Sequence, residues 1–305
     1  MKRLITAFGI VALLATWGGI QPAGAVRQVT ATTAGGGVIS IHCAADHVAQ
    51  VDPIVAPGGV SLHVHTFFGN SSTNANSTYA TMTAGTAAGV LSSCALSKDS
   101  SAYWYPQLLD ANGVPAPINF ITTYYRSPKG TTVTPFPADL RIIAGGDTDN
   151  RPVAPGVPQN VISWGCKDTG PFFTHTVDCT GKALIANVHF PNCLLQGATD
   201  STDHRSHMAY STGKGVCPAG FYQVPTLTLH VQYPIKNGSA FHLTSDLQGA
   251  GCPVLACENG EALHADFWNT WNQPALEFLI NTCVNGGLTC TNMTDVQYAA
   301  LGGPA

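Results

Sequence analysis

Charged side chains are scarce in this sequence: Asp, Glu, Lys and Arg make up only 10% of its 305 residues, whereas about 25% is usual for a soluble domain. Lys and Arg number 13 and Asp and Glu number 17, so the formal net charge is −4. The basic surface that binds phosphate backbones is therefore lacking, which argues against nucleic acid as a partner. Hydrophobic residues, at 45%, are too frequent for a disordered chain.

Long apolar runs are also missing, apart from one at the N-terminus. Lys2 and Arg3 precede an apolar stretch from Leu4 to Ile20, and the small-x-small pattern Ala23-Gly24-Ala25 follows. These features predict a secretory signal peptide over residues 1–25. No later segment is long and apolar enough to span a bilayer. We therefore expect a secreted, extracellular protein with no membrane association after signal removal.

Cys-x-x-Cys pairs are absent, although the chain has 10 cysteines, all after residue 25. Scattered cysteines argue against a structural thiolate zinc site, whereas an even number in an exported chain favours disulfides. Spacing does not determine their connectivity. Three local pairs are compatible with it: Cys166 with Cys179, Cys252 with Cys257, and Cys283 with Cys290.

A regular alternation of strands and helices, as in a parallel α/β fold, is not found either. Short β-rich runs bounded by Gly, Pro or Asn recur instead. They are Val38–Cys43, Ala102–Leu109, Ile118–Tyr125, Leu140–Ala144, Val161–Cys166, Ala183–Phe190 and Thr226–Tyr233. We therefore predict an all-β or mostly β fold, with a β-sandwich or jelly-roll-like core and long disulfide-stapled loops.

Only one helix is well indicated, at Pro274–Val284 near the C-terminus, where apolar residues recur on one face. Residues 26–37 are rich in Thr, Ala and Gly and read as a flexible leader. Because no repeat and no long linker follows, residues 38–305 are expected to form a single β-rich catalytic or binding domain.

Histidine clusters are the strongest functional signal in the chain. In the first cluster, His63 and His65 would point to the same side if the segment is a strand. Upstream, Asp52 precedes Pro53, which restricts the path of the chain, and Asp52 is a candidate carboxylate for the same cleft.

Two further clusters lie toward the C-terminus. The first, Asp200–Met208, is almost entirely polar, and its histidines would share a face on a helical turn. The other, His264–Trp271, places an imidazole and a carboxylate at strand-mate spacing beside two tryptophans. Aromatic rings next to acid and imidazole groups suit a sugar-stacking site.

Two chemistries can be built from these clusters if the segments meet in space. In one, imidazoles and a carboxylate bind a divalent metal such as Zn, Cu or Mn, with His63, His65 and His207 as candidate ligands. In the other, Asp and His act as acid and base on a sugar, and Arg205 neutralises an anionic group. The candidate catalytic residues are Asp52, His63, His65, Asp203, His204, Arg205, His207, His264 and Asp266. The candidate substrate-binding residues are Trp268, Trp271 and Tyr210.

Four separated blocks together resemble the DUF1996 family, a secreted fungal and actinobacterial domain of unknown function. In order, they are Asp52–Gly58, His63–Gly69, Asp200–Tyr210 and His264–Trp271. The resemblance extends from about Cys43 to Cys283. It implies an exported protein that acts at cell-wall or environmental polysaccharide, and it implies no mechanism. It marks the same His, Asp and Arg residues as the places where a site is expected.

Together these observations predict a secreted enzyme that cleaves extracellular polysaccharide by hydrolysis or elimination. Two alternatives remain open at this point. One is a non-catalytic extracellular protein that binds a glycan or a metal. The other is a wall-associated structural protein whose polar clusters only organise loops.

Overall fold

The computed structural model describes residues 35–87, 92–146, 161–212, 215–246 and 259–304. The predicted signal peptide, most of the predicted leader, and Cys252 and Cys257 lie outside these residues. All described residues belong to one compact unit, Ala31–Ala305. Among them, no helix has the length and hydrophobicity that a membrane span requires.

Strands dominate the described residues, and three short helices accompany them. The strands are β1 (Val38–Cys43), β2 (Ala45–Ala49), β3 (His65–Gly69), β4 (Ala102–Pro106), β5 (Leu108–Leu109), β6 (Phe120–Arg126), β7 (Arg141–Gly145), β8 (Ile162–Cys166), β9 (Thr169–Phe173), β10 (Leu184–His189), β11 (Cys193–Leu195), β12 (Met208–Ala209), β13 (Phe221–Gln223), β14 (Thr226–Tyr233), β15 (His242–Leu243), β16 (His264–Trp268) and β17 (Thr289–Cys290). The helices are α1 (Tyr79–Ala87), α2 (Gln273–Leu279), which a π-helical turn at Ile280–Val284 continues, and α3 (Asp295–Ala300).

The mostly β fold is confirmed, and so is the helical segment near the C-terminus. Strands β1 and β14 have the predicted bounds. The strict alternation in β14 also has the predicted result, because Leu227, Leu229, Val231 and Tyr233 are buried while His230 is half-buried on the opposite face. Helices α1 and α3 are additions that the sequence analysis did not predict.

Two large sheets share one core. The seven-stranded sheet has the order β17-β1-β6-β14-β10-β8-β9, and the five-stranded sheet has the order β2-β3-β4-β16-β7. Apolar side chains from both sheets form one continuous cluster, in which Phe267 of β16 stacks on Tyr103 of β4 and contacts Phe136 and Phe190. This arrangement is a sandwich, in which each sheet has an inner face toward the core and an outer face away from it.

Alternation along β16 places the candidate site residues on the outer face of the five-stranded sheet. Ala265 and Phe267 belong to the shared core, so His264, Asp266 and Trp268 point the other way. A second, smaller apolar cluster that includes Trp104 covers part of this outer face. His264 and Asp266 are therefore carried by a strand whose other face packs against the core.

Four disulfides link the described cysteines: Cys43 with Cys94, Cys166 with Cys179, Cys193 with Cys217, and Cys283 with Cys290. The second and fourth confirm two of the local pairs that the spacing allowed. Disulfides at this density are typical of proteins that fold in an oxidising, extracellular environment.

A chain of hydrogen bonds through the core connects the two sheets. The Tyr103 hydroxyl donates to Asp99 at 2.8 Å and contacts the hydroxyl of Tyr125, on β6, at 2.5 Å. The Trp271 indole N–H in turn donates to Tyr125 at 2.9 Å. Asp99 is fully buried, and this burial raises its pKa to about 8 although the hydrogen bond from Tyr103 lowers it.

The buried Asp99 carboxyl makes stability depend on pH. Between about pH 5 and about pH 7, Asp99 keeps its proton in the folded state and loses it on unfolding, so rising pH favours unfolding. We expect the free energy of unfolding of the wild type to fall by about 1.4 kcal/mol per pH unit relative to that of Asp99→Asn. Urea titrations of both proteins measure this difference, and a difference that stays constant over the range would contradict the assignment.

Candidate functional site

The three polar segments of the sequence analysis meet at one pocket with a volume of 660 Å³. Its walls come from the loop before β3, the end of β7, the loop between β11 and β12, and the start of β16. The convergence that both candidate chemistries require is therefore present in the structure.

Three histidines converge beside this pocket. His65 is the first residue of β3, His63 lies two residues before it, and His264 is the first residue of β16. Each offers one ring nitrogen, and these nitrogens all lie within 4.8 Å of one another. The Nε2 atoms of His63 and His264 are 3.1 Å apart and share a hydrogen bond, in which Nε2 of His63 donates because Nδ1 of His264 carries the proton of that ring. Two nitrogens bound to one tetrahedral zinc ion would be about 3.3 Å apart, so this group already has the spacing of metal ligands.

Backbone carbonyls fix the tautomers of two of these histidines. Nδ1 of His65 lies 2.9 Å from the Val51 carbonyl oxygen, and Nδ1 of His264 lies 3.0 Å from that of Ala262. Because a carbonyl oxygen only accepts, both Nδ1 atoms carry the proton and both Nε2 atoms present a lone pair. The Nε2 atom of His65 is buried without a hydrogen-bond partner among the described residues. This is the arrangement that orients metal-binding histidines in proteins.

Two buried carboxyl groups lie next to the histidines. Both oxygens of Asp266 are buried and have no hydrogen-bond partner among the described residues. Asp52 is better satisfied, because one of its oxygens accepts from the backbone N–H groups of Ile54 and Val55, at 3.0 and 2.9 Å. Asp52, His65 and Asp266 form a second group with ligand atoms within 4.8 Å of one another. Since His65 belongs to both groups, five candidate ligands surround one region.

Burial keeps the three imidazoles neutral at neutral pH. It lowers the pKa of His63 to about 4 and that of His264 to about 3. Burial also lowers the pKa of His65 well below its ordinary value, and the positive charges of the other two histidines lower it further. A neutral imidazole with a free lone pair is the form that binds a metal ion.

Burial has the opposite effect on the pKa of the two carboxyl groups. It raises the pKa of Asp266 well above its ordinary value; Asp52 adds to this effect, whereas Arg205 opposes it. Burial also raises the pKa of Asp52, against the effect of its two backbone N–H donors. The Trp104 indole is close enough to lower the pKa of Asp52, although its N–H forms no regular hydrogen bond with a described residue.

The loop between β11 and β12 covers the edge of the five-stranded sheet and carries Arg205 to the pocket. Along the edge strand β7, the backbone N–H of Arg141 donates to Thr199 at 3.0 Å, and His207 donates to the Arg141 carbonyl at 2.7 Å. Arg205 donates to the Gly145 carbonyl at 3.0 Å and lines the pocket. These bonds occupy edge groups that would otherwise remain open to pairing with another chain.

His204 and Asp200 form a dyad in the same loop. Nδ1 of His204 lies 2.7 Å from one oxygen of Asp200, and the other oxygen forms an ion pair with Arg141 at 3.1 Å. The carboxylate thus holds the imidazole with Nδ1 engaged, which leaves Nε2 for proton exchange. His204 lines the pocket and lowers the pKa of Asp52 through its charge.

Most of the candidate catalytic residues lie at this pocket. Seven of the nine line its walls: Asp52, His63, Asp203, His204, Arg205, His264 and Asp266. His65 is fully buried beside them and contacts the rings of His63 and His264.

His207 does not join the histidine group, contrary to its proposed role as a metal ligand. The side chain is buried, its Nε2 donates to the Arg141 carbonyl, and its Nδ1 hydrogen-bonds with the Ser201 hydroxyl at 2.8 Å. Both nitrogens are therefore engaged in holding the loop. His264 takes the third position instead.

Asp203 is an exposed loop anchor. One of its oxygens accepts from the hydroxyl of Ser201, from the backbone N–H of Arg205, and from both the backbone N–H and the hydroxyl of Ser206. These hydrogen bonds hold the pKa of Asp203 well below its ordinary value. The group is ionised at any physiological pH, so it is poorly suited to donate a proton.

The three residues expected to bind a sugar lie elsewhere. Trp268 and Trp271 are each 2% exposed, and their indole N–H groups donate to Asp139 and Tyr125. Tyr210 packs against the core and donates to the His189 carbonyl. The two buried tryptophan rings have no face free for a sugar, and Tyr210 is half-buried and does not line the pocket. The apolar wall of the pocket is aliphatic and includes the exposed residues Val55, Val60 and Leu62.

Asp200 and Arg141 are the residues that the sequence analysis missed. They act through His204 and the loop rather than by facing the pocket. A signal for Asp200 was present, because it lies four residues before His204, which is contact spacing on a helical turn. No local signal connects Arg141 with that loop, because the two meet only through the fold.

A sequence model of a family described as "Domain of unknown function (DUF1996)" matches residues 52–271, well over half of the chain. The matched range begins at Asp52 and ends at Trp271, so it contains all four blocks that carried the resemblance. No curated protein and no solved structure matches the chain.

Proposed function

For this chain, which belongs to the DUF1996 family, we propose the activity of a secreted, metal-dependent hydrolase that cleaves extracellular polysaccharide. The geometry of the histidines supports a metal site, and the disulfides and low charge of the chain support an extracellular substrate. Four disulfides and a surface with few charges are typical of proteins that work outside the cell.

The observation that carries the proposal is the gathering of three neutral imidazoles around one point, next to an unpartnered carboxyl. His65 and His264 present Nε2 lone pairs because their Nδ1 protons are held by backbone carbonyls. The third nitrogen comes from His63, and Asp266, whose oxygens have no hydrogen-bond partner among the described residues, forms a second group with His65 and Asp52. Nε2 of His65 and both oxygens of Asp266 are buried without a hydrogen-bond partner among the described residues, and such groups are costly unless a ligand satisfies them.

Three histidines and an open position are the donor set of catalytic zinc sites. Such an ion, when bound, would polarise a substrate oxygen or lower the pKa of a coordinated water molecule. Asp52 and Asp266 lie beside the same histidines, and either carboxyl group, in its ionised form, would be the acceptor for the proton of an attacking water molecule. The strands β3 and β16 hold the donors in place through the core, so little rearrangement is needed on binding.

The remaining residues suit proton transfer and charge neutralisation. Hydrolysis of a glycosidic bond breaks the bond between the sugar carbon and the leaving oxygen, adds the water oxygen to that carbon, and needs one proton for the leaving oxygen. His204, oriented by Asp200, is placed to deliver this proton. Arg205 provides a positive charge for an anionic group of the substrate.

The test combines metal analysis with an activity screen. Protein purified without an affinity tag should contain about one equivalent of Zn, Cu or Mn after loading and dialysis. The loaded protein should release reducing ends from at least one plant, fungal or bacterial wall glycan, and a chelator should stop this release until metal is restored.

Each other outcome contradicts the proposal in a different way. Metal binding without cleavage of any glycan would indicate a metal-binding protein. Cleavage that persists after the metal has been removed would indicate catalysis by Asp and His side chains alone. Cleavage products that show the ultraviolet absorbance of unsaturated uronates would indicate elimination instead of hydrolysis.

A further inference from the structure

The outer face of the seven-stranded sheet carries a second set of polar and aromatic side chains. The pocket lies on the other sheet, so the shared core separates the two sets. These side chains occupy alternate positions on β1, β6, β10 and β14, between residues that point into the core. We refer to them as the outer-face group: His42, Phe120, Tyr124, Arg126, Asn187, His189, Thr228 and His230. Asn187 and Thr228 are buried between their neighbours, at 8% and 3% exposed, and the other members are half-buried or exposed.

We propose that the outer-face group is a binding surface for an acidic saccharide, independent of the metal site. Strand pairing aligns its members in rows across the sheet. Asn187 lies opposite His230, and His189 lies opposite Thr228, which in turn lies opposite Tyr124. Adjacent strands are about 4.8 Å apart, so a row over these four strands extends about 14 Å, enough for a short oligosaccharide.

The polar members of this group are held in fixed orientations. Nδ1 of His230 donates to the side-chain oxygen of Asn187 at 2.8 Å, and the amide group of Asn187 donates to Ser163 at 3.3 Å. Because Nδ1 of His230 carries the proton, its Nε2 is left as an acceptor. Nε2 of His189 also lacks a hydrogen-bond partner among the described residues, but this atom is buried, so the acceptor offered to a ligand is Nε2 of His230. Fixed donors and acceptors of this kind suit the hydroxyl groups of a sugar.

Aromatic rings lie at both ends of the rows. At the β9 edge, the ring of Phe172 packs directly on Gly165. A Cβ atom added to Gly165 would lie only 2.9 Å from this ring, and Phe172 is nevertheless 39% exposed. Toward the other end, Phe120 stacks on His42 with ring centroids 4.2 Å apart. A solvated sheet face needs polar residues, but it does not need exposed rings flanking them. Such rings match the apolar faces of pyranoses.

The charge on this face selects an acidic ligand. The Arg126 guanidinium lies 4.1 Å from the centre of the Tyr124 ring, and no described carboxylate forms an ion pair with it. Lys167 adds a second positive charge near His230, against one negative charge from Asp168. A guanidinium without a carboxylate partner is the group that would bind a uronate carboxylate in two-point contact.

Binding is best measured in the His65→Ala background, so that cleavage at the pocket cannot affect the result. The probes are a hexagalacturonate and a neutral cellohexaose, titrated by calorimetry at low salt. We expect saturable binding of the acidic probe only, weakened by added salt. Arg126→Ala should reduce the affinity by about tenfold or more, which corresponds to the loss of one charged hydrogen bond, and Arg126→Lys should retain part of it.

Phe172 and Phe173 provide a matched pair for the aromatic contact. They are neighbours on β9 with nearly equal exposure, 39% and 37%, but their side chains point to opposite faces of the strand. Phe172→Ala should weaken binding several-fold, and Phe173→Ala should leave it unchanged. The proposal is overturned if neither probe binds, if both bind equally well, or if the two phenylalanine variants lose affinity to the same extent. Thermal unfolding of each variant shows that the fold is retained.

The proposed saccharide surface and the proposed hydrolase site are tested by different measurements. Absence of metal or of glycan cleavage would refute the proposed hydrolase without affecting the titrations. Absence of saccharide binding in the titrations would leave the metal analysis unchanged.

Discussion

Replacing His65 with alanine should remove the metal and the activity together. We expect metal content below about 0.1 equivalent after loading and dialysis, and a fall in kcat/KM of more than about a hundredfold, which exceeds the usual effect of losing one hydrogen bond around a metal. His65 belongs to both groups of candidate ligands, so its loss removes a donor from each of them. The measurements are elemental analysis and the rate of reducing-end release.

The control for this experiment is His47→Ala. His47 is a partly exposed histidine on β2, the neighbouring strand, and its Nδ1 atom contacts Asp46 instead of the site. This variant should bind metal and turn over substrate at the rate of the wild type. If His65→Ala retains one equivalent of metal, the three histidines are not the ligands and the proposed centre is refuted.

Replacing Asp266 with asparagine should separate function from stability. We expect activity to fall by at least about a hundredfold, as for the loss of an acid or base in the transition state. Metal-free Asp266→Asn, in contrast, should be at least as stable as the metal-free wild type. The reason is that burial disfavours the ionised carboxylate in the folded state. A gain of about 1 kcal/mol would raise the melting temperature by about 2–4 °C.

The stability gained by Asp266→Asn should depend on pH in a defined direction. The folded-state pKa of Asp266 is raised, so its ionisation opposes folding above the unfolded-state pKa, and the gain should increase as the pH rises. Asp99→Asn is the matched control, because Asp99 is equally buried and its pKa is also raised, but it lies in the core away from the histidines. It should keep metal and activity. Asp266→Asn with normal turnover, or with a lowered melting temperature in the metal-free protein, would contradict the assignment.

The large strands could be predicted from the sequence because alternation fixes which residues face the core. In β14 every second residue is apolar, and this pattern is sufficient to place both faces correctly. Helix α3 was missed although it has a readable signal, a capping box between Thr294 and Gln297. Helix α1 begins with a similar reciprocal pair, in which the Thr78 hydroxyl accepts from the Thr81 N–H and the Thr81 hydroxyl accepts from the Thr78 N–H. The helix itself is hard to predict, because Tyr79–Ala87 consists mainly of Ala, Thr and Gly without an apolar stripe.

The composition of the site was predictable in outline, but its assignment was not. Local spacing singled out His63, His65 and Asp266, and the structure places them together at one pocket. The choice between His207 and His264 as the third histidine depends on the pairing of β3, β4 and β16, which are far apart in sequence. The tryptophans show the same limit, since Trp268 follows the polar residues of β16 but ends in an apolar cluster. Proximity along the chain did not reveal which side of the sheet each ring would cover.

The two outer faces of the sandwich look in opposite directions, with the shared core between them. Packed sheets are about 10 Å apart, and the side chains on both outsides add to that thickness. A polymer strand lying across the seven-stranded sheet would have to turn round the rim of the molecule to enter the pocket. If both proposals hold, each molecule would bind one polysaccharide chain on the seven-stranded sheet and cleave a different chain in the pocket. Enzyme bound to an insoluble fibre would then cleave adjacent polysaccharide chains before it cleaved the chain to which it is bound.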